Sequence, residues 1–136
     1  MTVTWEKILP INGSVIVIED DQTLRALMEE IVSEIGGTAI SFGNADDALT
    51  YLLQGAENCR LIIADHGVPG RIKGLEFIKI VRHRWPTVAS ILTSGYLIDP
   101  EAVPASCIYL HKPWALDELV NAIARLLQPG NTIKKA

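Results

Sequence analysis

Acidic, hydroxyl and amino side chains follow four of the short apolar segments of this sequence. They are Glu19, Asp20 and Asp21 after VIVI, Asp65 after LIIA, Thr93 and Ser94 after VASIL, and Lys112 shortly after IYL. Three carboxylates brought to one point would repel one another and raise their pKa values unless a cation lay among them. Because the set offers only oxygen ligands, with no histidine or cysteine at ligand spacing, the pattern points to Mg²⁺ held by carboxylates and water.

A lysine and a hydroxyl on the other side of such a site are partners for an anionic group. A carboxylate, a divalent cation, Lys112 and Thr93 around one point suit phosphoryl transfer, in which positioning and charge neutralisation supply most of the catalysis. Asp21 is interpreted differently, because a carboxylate directly before an apolar helical pattern is typical of a helix N-cap.

The elements that must bring these residues together alternate along the chain. Five mostly continuous apolar segments predict strands covered on both faces, as in a parallel sheet, at 15–18, 38–42, 61–64, 88–92 and 108–110. Helical patterns predict four helices that begin after Asp21, after Asn44, at about Gly74 and after Pro113. Right-handed crossovers then give a doubly wound α/β sheet, whose active residues lie beyond the carboxyl ends of the strands.

One helix is missing from this alternation, between the fourth and fifth strands. The chain there reads TSGYLIDPEAVPASC, and Pro100 and Pro104 leave room for a helical turn or two. We expect the helix at this place to be short or absent.

Composition argues against several other classes of protein. The 136 residues are 49% apolar and 21% charged, which is typical of one globular domain. A net charge of −4 provides no basic field for nucleic acid, and no apolar run approaches the ~18 residues of a membrane span. With only Cys59 and Cys107, a reducing compartment is the simpler interpretation. We therefore expect a cytoplasmic protein that binds neither nucleic acid nor membrane.

The order of these motifs resembles the receiver domain of bacterial two-component response regulators. The resemblance covers roughly residues 14–127 and rests on VIVIEDD, LIIADHGVPG, ILTSGY and YLHKPW. Asp20, Asp65, Thr93 and Lys112 are separated in turn by 45, 28 and 19 residues. The resemblance implies a flavodoxin-like sheet of five parallel strands in the order 2-1-3-4-5. It divides the chain into an N-terminal extension over 1–13, a receiver domain over 14–128 and a flexible tail over 129–136.

Carried over by position, the resemblance implies a phosphorylation site and a metal site. Asp65 corresponds to the phosphoacceptor and is also a ligand of Mg²⁺. Asp20 corresponds to a direct metal ligand, Glu19 to the residue that holds a metal-bound water, and Gly67 to a ligand through its backbone carbonyl.

The same resemblance gives roles to three residues around the phosphoryl group. Lys112 is expected to pair with the aspartate or phosphoryl oxygens, and Thr93 to hydrogen-bond the phosphoryl group. Tyr109, three residues before the lysine, resembles the switch aromatic of the family, with simple packing on a strand as the alternative. The Lys112–Pro113 bond is a candidate cis peptide.

Two features depart from the commonest pattern of the family. Gly74 lies nine residues after Asp65, one residue later than usual, and the family's fourth helix, between the fourth and fifth strands, is short or absent. Together with the TSGY string they resemble a receiver subgroup that is often fused to hybrid sensor histidine kinases and is also found alone. We expect phosphorylation to act by ordering the 94–106 loop through Thr93, with docking through the first helix and the edge of the last.

The expected function is that of a stand-alone receiver. It takes a phosphoryl group onto Asp65 from a sensor histidine kinase or a histidine phosphotransfer protein, and it is a switch rather than an enzyme with a separate substrate. Its downstream protein is unidentified, and a homodimer is left open. One alternative is a degenerate receiver that works as a phosphorylation-independent interaction module. Another is a flavodoxin-like small-molecule binder, although no Gly-rich loop follows the first strand.

Overall fold

Five parallel strands form one sheet at the centre of the molecule. The computed structural model describes residues 11–55 and 58–128. The strands are β1 (Ser14–Ile18), β2 (Thr38–Phe42), β3 (Cys59–Asp65), β4 (Ala89–Ser94) and β5 (Cys107–His111). They lie in the order β2-β1-β3-β4-β5, and each neighbouring pair is parallel. The predicted flavodoxin-like order is confirmed.

The described ranges contain four α-helices, of which the first three connect consecutive strands and the fourth follows the last strand. They are α1 (Gln22–Glu34), α2 (Ala45–Leu53), α3 (Gly74–Arg84) and α4 (Leu116–Leu127). The side chain of Asp21 accepts a hydrogen bond from the N–H of Leu24, and that of Asn44 accepts one from the N–H of Asp47. Both side chains are therefore the N-caps that the sequence predicts.

The sheet is covered on both faces, which explains why its strands are continuously apolar. Successive side chains of a strand point to opposite faces of a sheet. In β1, Val15 and Val17 belong to a core cluster with α1 and α4, whereas Ile16 and Ile18 belong to a second cluster with α2 and α3. All four side chains are fully buried. Packing on both sides therefore holds the strand ends in place.

The connection from β4 to β5 contains a short turn where an α-helix would complete the alternation. Only Pro100–Ala102 is helical, as a 3-10 turn. Residues 95–106, termed the crossover segment below, pack Ile98 and Val103 against the core cluster of α2 and α3. The expectation of a short or absent helix is confirmed. The helix does not form because proline lacks an N–H and disfavours helical geometry in the residue before it.

The chain just before β1 also contacts the core. Ile11 is buried, and its N–H donates to the carbonyl of Ile35 at 3.2 Å. The rest of the expected N-terminal extension, residues 1–10, and the expected flexible tail, residues 129–136, lie outside the described residues. None of the helices in the described part of the chain is long and apolar enough to cross a membrane.

Candidate functional site

The carboxyl ends of β1, β3, β4 and β5 meet at one end of the sheet and bring the predicted residues together. Asp65 lies opposite Thr93 in the register of β3 and β4. Glu19 directly follows β1, which is the other neighbour of β3. Lys112 follows β5, and its backbone N–H donates to the carbonyl of Ser94 at 2.8 Å. Residues distant in the sequence thus become neighbours because parallel strands end side by side.

One lysine lies between two buried carboxylates. Lys112 Nζ lies 2.6 Å from Glu19 Oε1 and 3.2 Å from Asp65 Oδ1. Thr93 Oγ1 donates to Asp65 Oδ1 at 3.5 Å. Glu19 and Asp65 are only 1% and 6% exposed, so the charges of both carboxylates depend on protein groups for compensation. The acid, the hydroxyl and the lysine therefore form one contiguous cluster.

Burial and charge act in opposite directions on the ionisable groups of this cluster. Burial raises the pKa of Glu19, and the hydrogen bonds from Lys112 and from the N–H of Asp21 offset this only in part. Burial alone would lower the pKa of Lys112, but its hydrogen bond to Glu19 and its attraction to Asp65 outweigh that effect. The pKa of Lys112 is therefore raised, and its side chain stays an ammonium at neutral pH.

Three carboxylates offer oxygen atoms to one cation. Oxygens of Glu19, Asp20 and Asp65 all lie within 4.8 Å of one another. The ammonium of Lys112 balances one of the three negative charges, and a divalent cation would balance the other two. Carboxylate oxygens are the ligands that Mg²⁺ prefers. The residues present therefore fit the predicted metal.

Backbone contacts hold Glu19 in its position at the end of β1. Its Oε2 accepts a hydrogen bond from the N–H of Asp21 at 3.1 Å, and its own N–H donates to the carbonyl of Phe42 at 3.0 Å. Arg25 Nη1 donates to the carbonyl of Glu19 at 2.8 Å. The first turn of α1 and the end of β2 therefore both position this carboxylate.

Two glycines approach Asp65 closely. A Cβ at Gly67 would lie 3.5 Å from Asp65 Oδ2, which is an ordinary van der Waals contact. A Cβ at Gly74, the first residue of α3, would lie 2.5 Å from the backbone carbonyl oxygen of Asp65. That distance is too short for any side chain, so α3 packs directly on the backbone of the expected phosphoacceptor. The role of the Gly67 carbonyl as a metal ligand stays a prediction.

Tyr109 connects β5 to the crossover segment. Its hydroxyl donates to the carbonyl of Tyr96 at 2.9 Å and lies 3.0 Å from Nδ1 of His111. Because the phenol has one hydrogen, which the carbonyl accepts, His111 Nδ1 must donate in the second contact. The ring is half-buried against the core cluster of α2 and α3. Its role as a switch residue stays a prediction.

Two contacts near the site have no signal in the sequence. His66 Nδ1 accepts a hydrogen bond from the N–H of Leu75 at 3.3 Å, which joins the residue after Asp65 to the first turn of α3. Tyr96 supplies the carbonyl that Tyr109 uses. Any residue type has a backbone carbonyl, and a lone histidine at a strand end is most often an ordinary rim residue. Only the spatial arrangement identifies these two positions.

An apolar groove of about 330 Å³ borders the carboxylate cluster on the side of α1. Leu24 and Leu27 of α1 line it together with Pro113 and Trp114 of the β5–α4 loop, and Lys112 belongs to the same lining. The Lys112–Pro113 peptide bond is cis, as predicted. The groove is therefore an apolar surface next to the side chain that contacts Asp65.

A family comparison decides what this arrangement represents. The family model of the response regulator receiver domain matches residues 15–124. The chain belongs to the response regulator receiver family. The resemblance drawn from the motifs is confirmed. Receiver domains bind Mg²⁺ at an acidic site, and this chain has an acidic cluster formed by Glu19, Asp20 and Asp65.

The curated relatives of this receiver include transcriptional regulators. It is 29% identical over 123 residues to the hydrogenase transcriptional regulatory protein HoxA of Cupriavidus necator, a match that covers 86% of this chain and 24% of the regulator. It is 33% identical over 116 residues to the C4-dicarboxylate transport transcriptional regulatory protein DctD of Rhizobium meliloti, over 82% of this chain and 25% of that protein. The receiver spans about a quarter of the length of the curated relatives it matches.

Solved receiver structures have the same fold. The response regulator TrrA of Thermotoga maritima, solved in complex with Mg²⁺-BeF, is 27% identical with a TM-score of 0.72, and the match covers 85% of this chain and all of TrrA. TrrA was also solved in complex with the histidine kinase ThkA, and in that structure the TM-score is 0.71 over 86% of this chain and again all of TrrA. A receiver protein from Sinorhizobium medicae has a TM-score of 0.78 at 19% identity, over 85% of this chain and 94% of its own.

Proposed function

We propose that this receiver takes a phosphoryl group onto Asp65 in a Mg²⁺-dependent reaction and acts as a phosphorylation switch in two-component signal transduction. One observation carries the proposal. Asp65 Oδ1 lies 3.2 Å from Lys112 Nζ and 3.5 Å from Thr93 Oγ1, beside the carboxylates of Glu19 and Asp20. This cluster combines a nucleophile, a cation site and two groups that bind phosphoryl oxygens.

The reaction follows from the chemistry of the cluster. An oxygen of the Asp65 carboxylate attacks the phosphorus of a phosphohistidine, and the P–N bond breaks with its electron pair left on the histidine nitrogen, which takes up a proton from water. Lys112 and Thr93 both contact Asp65 Oδ1, which supports a role for them in binding the transferred oxygens. Mg²⁺ held by Glu19, Asp20 and Asp65 would supply the charge neutralisation on which phosphoryl transfer depends. Slow hydrolysis of the resulting acyl phosphate resets the switch, so turnover is limited to the receiver's own phosphorylation.

The phosphodonor is a sensor histidine kinase or a histidine phosphotransfer protein. A donor histidine must approach Asp65 from outside, and the groove lined by Leu24, Leu27 and Trp114 gives its protein an apolar surface next to Lys112. Leu27 is 46% exposed and contributes to the apolar surface of this groove. The complex between TrrA and ThkA supports a kinase as the partner.

Intact-mass analysis with acetyl phosphate tests the proposal. Wild-type protein with Mg²⁺ is expected to gain one phosphoryl group, whereas Asp65→Asn and wild type without a divalent cation are expected to gain none. The matched control is Asp21→Asn, because asparagine is also a good N-cap and Asp21 lies outside the acidic triad. Labelling of Asp65→Asn would overturn the assignment of the phosphorylation site. If correctly folded wild-type protein gains no phosphoryl group, the result would favour the degenerate receiver.

Three further expectations stay predictions. They are that the receiver acts without an attached output domain, that it is cytoplasmic, and that its signal leaves through contacts with a separate protein. The size of the native protein, measured by immunoblot of cells that express it, tests the first of them.

A further inference from the structure

A second groove lies between α3 and the crossover segment. It consists of two adjoining cavities of about 220 and 510 Å³ that share Arg82. Val88, which directly precedes β4, and Ser106, which directly precedes β5, line the smaller cavity. The groove therefore lies at the amino ends of these strands, whereas Asp65 lies at the carboxyl end of β3.

The short connection between β4 and β5 shapes this groove. Pro104 of the crossover segment faces α3 across the larger cavity, and Ser106 lies across the smaller one, where its hydroxyl contacts Arg82. Because a 3-10 turn takes the place of a full helix in this connection, the flank of α3 stays open along its last two turns.

The groove has a basic rim over a floor of mixed apolar and polar surface. Lys79, Arg82 and His83 are exposed and lie on one side of α3 at helical spacing of three and four residues. Val81 and Val88 belong to the lining of the smaller cavity. The rim therefore combines positive charge with adjacent apolar surface.

The basic side chains of this rim form no ion pair within the described residues. Within residues 11–55 and 58–128, both ion pairs of the structure involve Lys112, and neither Lys79 nor Arg82 has a carboxylate within salt-bridge distance. Asp99 and Glu101 of the nearby 3-10 turn line neither cavity. In a protein of net charge −4, such a rim is a local exception.

We propose that this groove binds an acidic segment of a partner protein, with carboxylates against Lys79 and Arg82 and an apolar side chain in the smaller cavity. This surface goes beyond the proposed phosphoacceptor function and does not depend on it. A protein segment fits better than a nucleic acid, because two or three cations on an acidic molecule neutralise few phosphates, while apolar lining recognises side chains.

Amide chemical-shift titration of the full-length ¹⁵N-labelled protein tests the proposal. The probe is a short synthetic peptide of alternating Glu-Glu and Leu-Leu pairs, compared with the same peptide carrying Gln for Glu. The acidic peptide is expected to shift amides of α3 and the neighbourhood of Ser106, and the Gln peptide to bind at least tenfold more weakly. Equal binding of the two peptides, or no shifts at millimolar acidic peptide, would overturn the proposal.

Charge-reversal variants locate the binding. Lys79→Glu and Arg82→Glu are each expected to weaken the acidic peptide at least tenfold, and Lys79→Glu disturbs no hydrogen bond or ion pair recorded among the described residues. Arg125→Glu on α4 is the matched control, since it changes net charge equally at an exposed helical position. An equal loss of affinity for the acidic peptide in Arg125→Glu would show that only the overall charge matters and would overturn the proposed location. Tighter binding of a DNA duplex than of the acidic peptide would contradict the choice of partner.

Discussion

At the scale of single residues, the site is a balance of charges in which Lys112 is the central group. Its ammonium contacts both Glu19 and Asp65, which are almost completely buried. A buried carboxylate without a partner destabilises the fold. If one cation is removed, either another cation takes its place or the protein becomes less stable. A cation bound by this cluster would therefore also stabilise the fold.

Replacement of the lysine reveals this link. Lys112→Ala is expected to lower the free energy of unfolding in metal-free buffer by about 1–3 kcal/mol, because two carboxylates lose their counter-charge. Millimolar Mg²⁺ is expected to raise the melting temperature of this variant more than that of wild type. Thermal denaturation with and without Mg²⁺ measures both effects. Lys79→Ala, which removes an equal charge at an exposed position, serves as control, and an equal Mg²⁺ response in all three proteins would contradict the argument.

Asp20 gives a cleaner test of the metal site because its side chain is exposed. Asp20→Asn is expected to weaken Mg²⁺ binding roughly tenfold or more while leaving the melting temperature of the metal-free protein nearly unchanged, since only the charge count of the ligand set falls. Calorimetric titration with MgCl₂ measures the affinity. Asp21→Asn again is the control, and an unchanged affinity in Asp20→Asn would remove this residue from the ligand set.

At the scale of elements, the start of α3 and the end of β3 act as one unit. Gly74 lies against the backbone of Asp65, and His66 accepts a hydrogen bond from Leu75 N–H in the first turn of the helix. The position of the expected phosphoacceptor thus depends on how closely a helix approaches a strand. Although Gly74 lies nine residues after Asp65, which is an unusual spacing, its position leaves no room for a Cβ.

A single methyl group tests this contact. Gly74→Ala is expected to destabilise the protein by about 1–3 kcal/mol, because its Cβ would lie 2.5 Å from a backbone oxygen that cannot move without moving Asp65. The rate of labelling by acetyl phosphate is expected to fall with it. Gly95→Ala is the matched control, since a Cβ there meets no atom within 4 Å. Urea denaturation measures the difference, and similar midpoints for the two variants would show that the contact relaxes freely.

At the scale of the whole molecule, the crossover segment joins the two ends of the sheet. It begins directly after Ser94, the residue that follows Thr93 in β4. It ends at Ser106, whose hydroxyl contacts Arg82 in the second groove. Its contacts are uneven. Leu97 is 89% exposed, while Ile98 packs on the core. A segment with few buried contacts is the part of a fold most easily ordered or released.

Hydrogen exchange tests whether phosphorylation orders this segment. Amides in residues 95–106 are expected to exchange faster than those of α1 in the unmodified protein and to become several-fold better protected with acetyl phosphate and Mg²⁺, because Thr93 would then bind the phosphoryl group. Asp65→Asn under the same conditions is the control. Amides of the segment that are already as protected as those of α1, and that do not change, would contradict ordering as the mechanism.

Local signals in the sequence were sufficient to predict the elements and the convergence of Asp65, Thr93 and Lys112 at one end of the sheet. Caps at Asp21 and Asn44 mark helix starts because the cap and its partner lie three residues apart. Continuous apolar strands imply a parallel sheet, and the ends of parallel strands must meet, so the convergence of Asp65, Thr93 and Lys112 follows without any distance being known. The prolines of the crossover segment likewise predict that no full helix forms there.

Contacts between distant residues were decided only by the tertiary structure. Lys112 and Glu19 are 93 residues apart, and nothing near either of them in sequence specifies that they lie 2.6 Å from each other. The bond from Tyr109 to a backbone carbonyl and the groove around Arg82 are equally invisible, because a carbonyl has no residue type and a cavity is the space between elements. Propensity and periodicity act over a few residues, whereas these distances depend on how completed helices pack on a completed sheet.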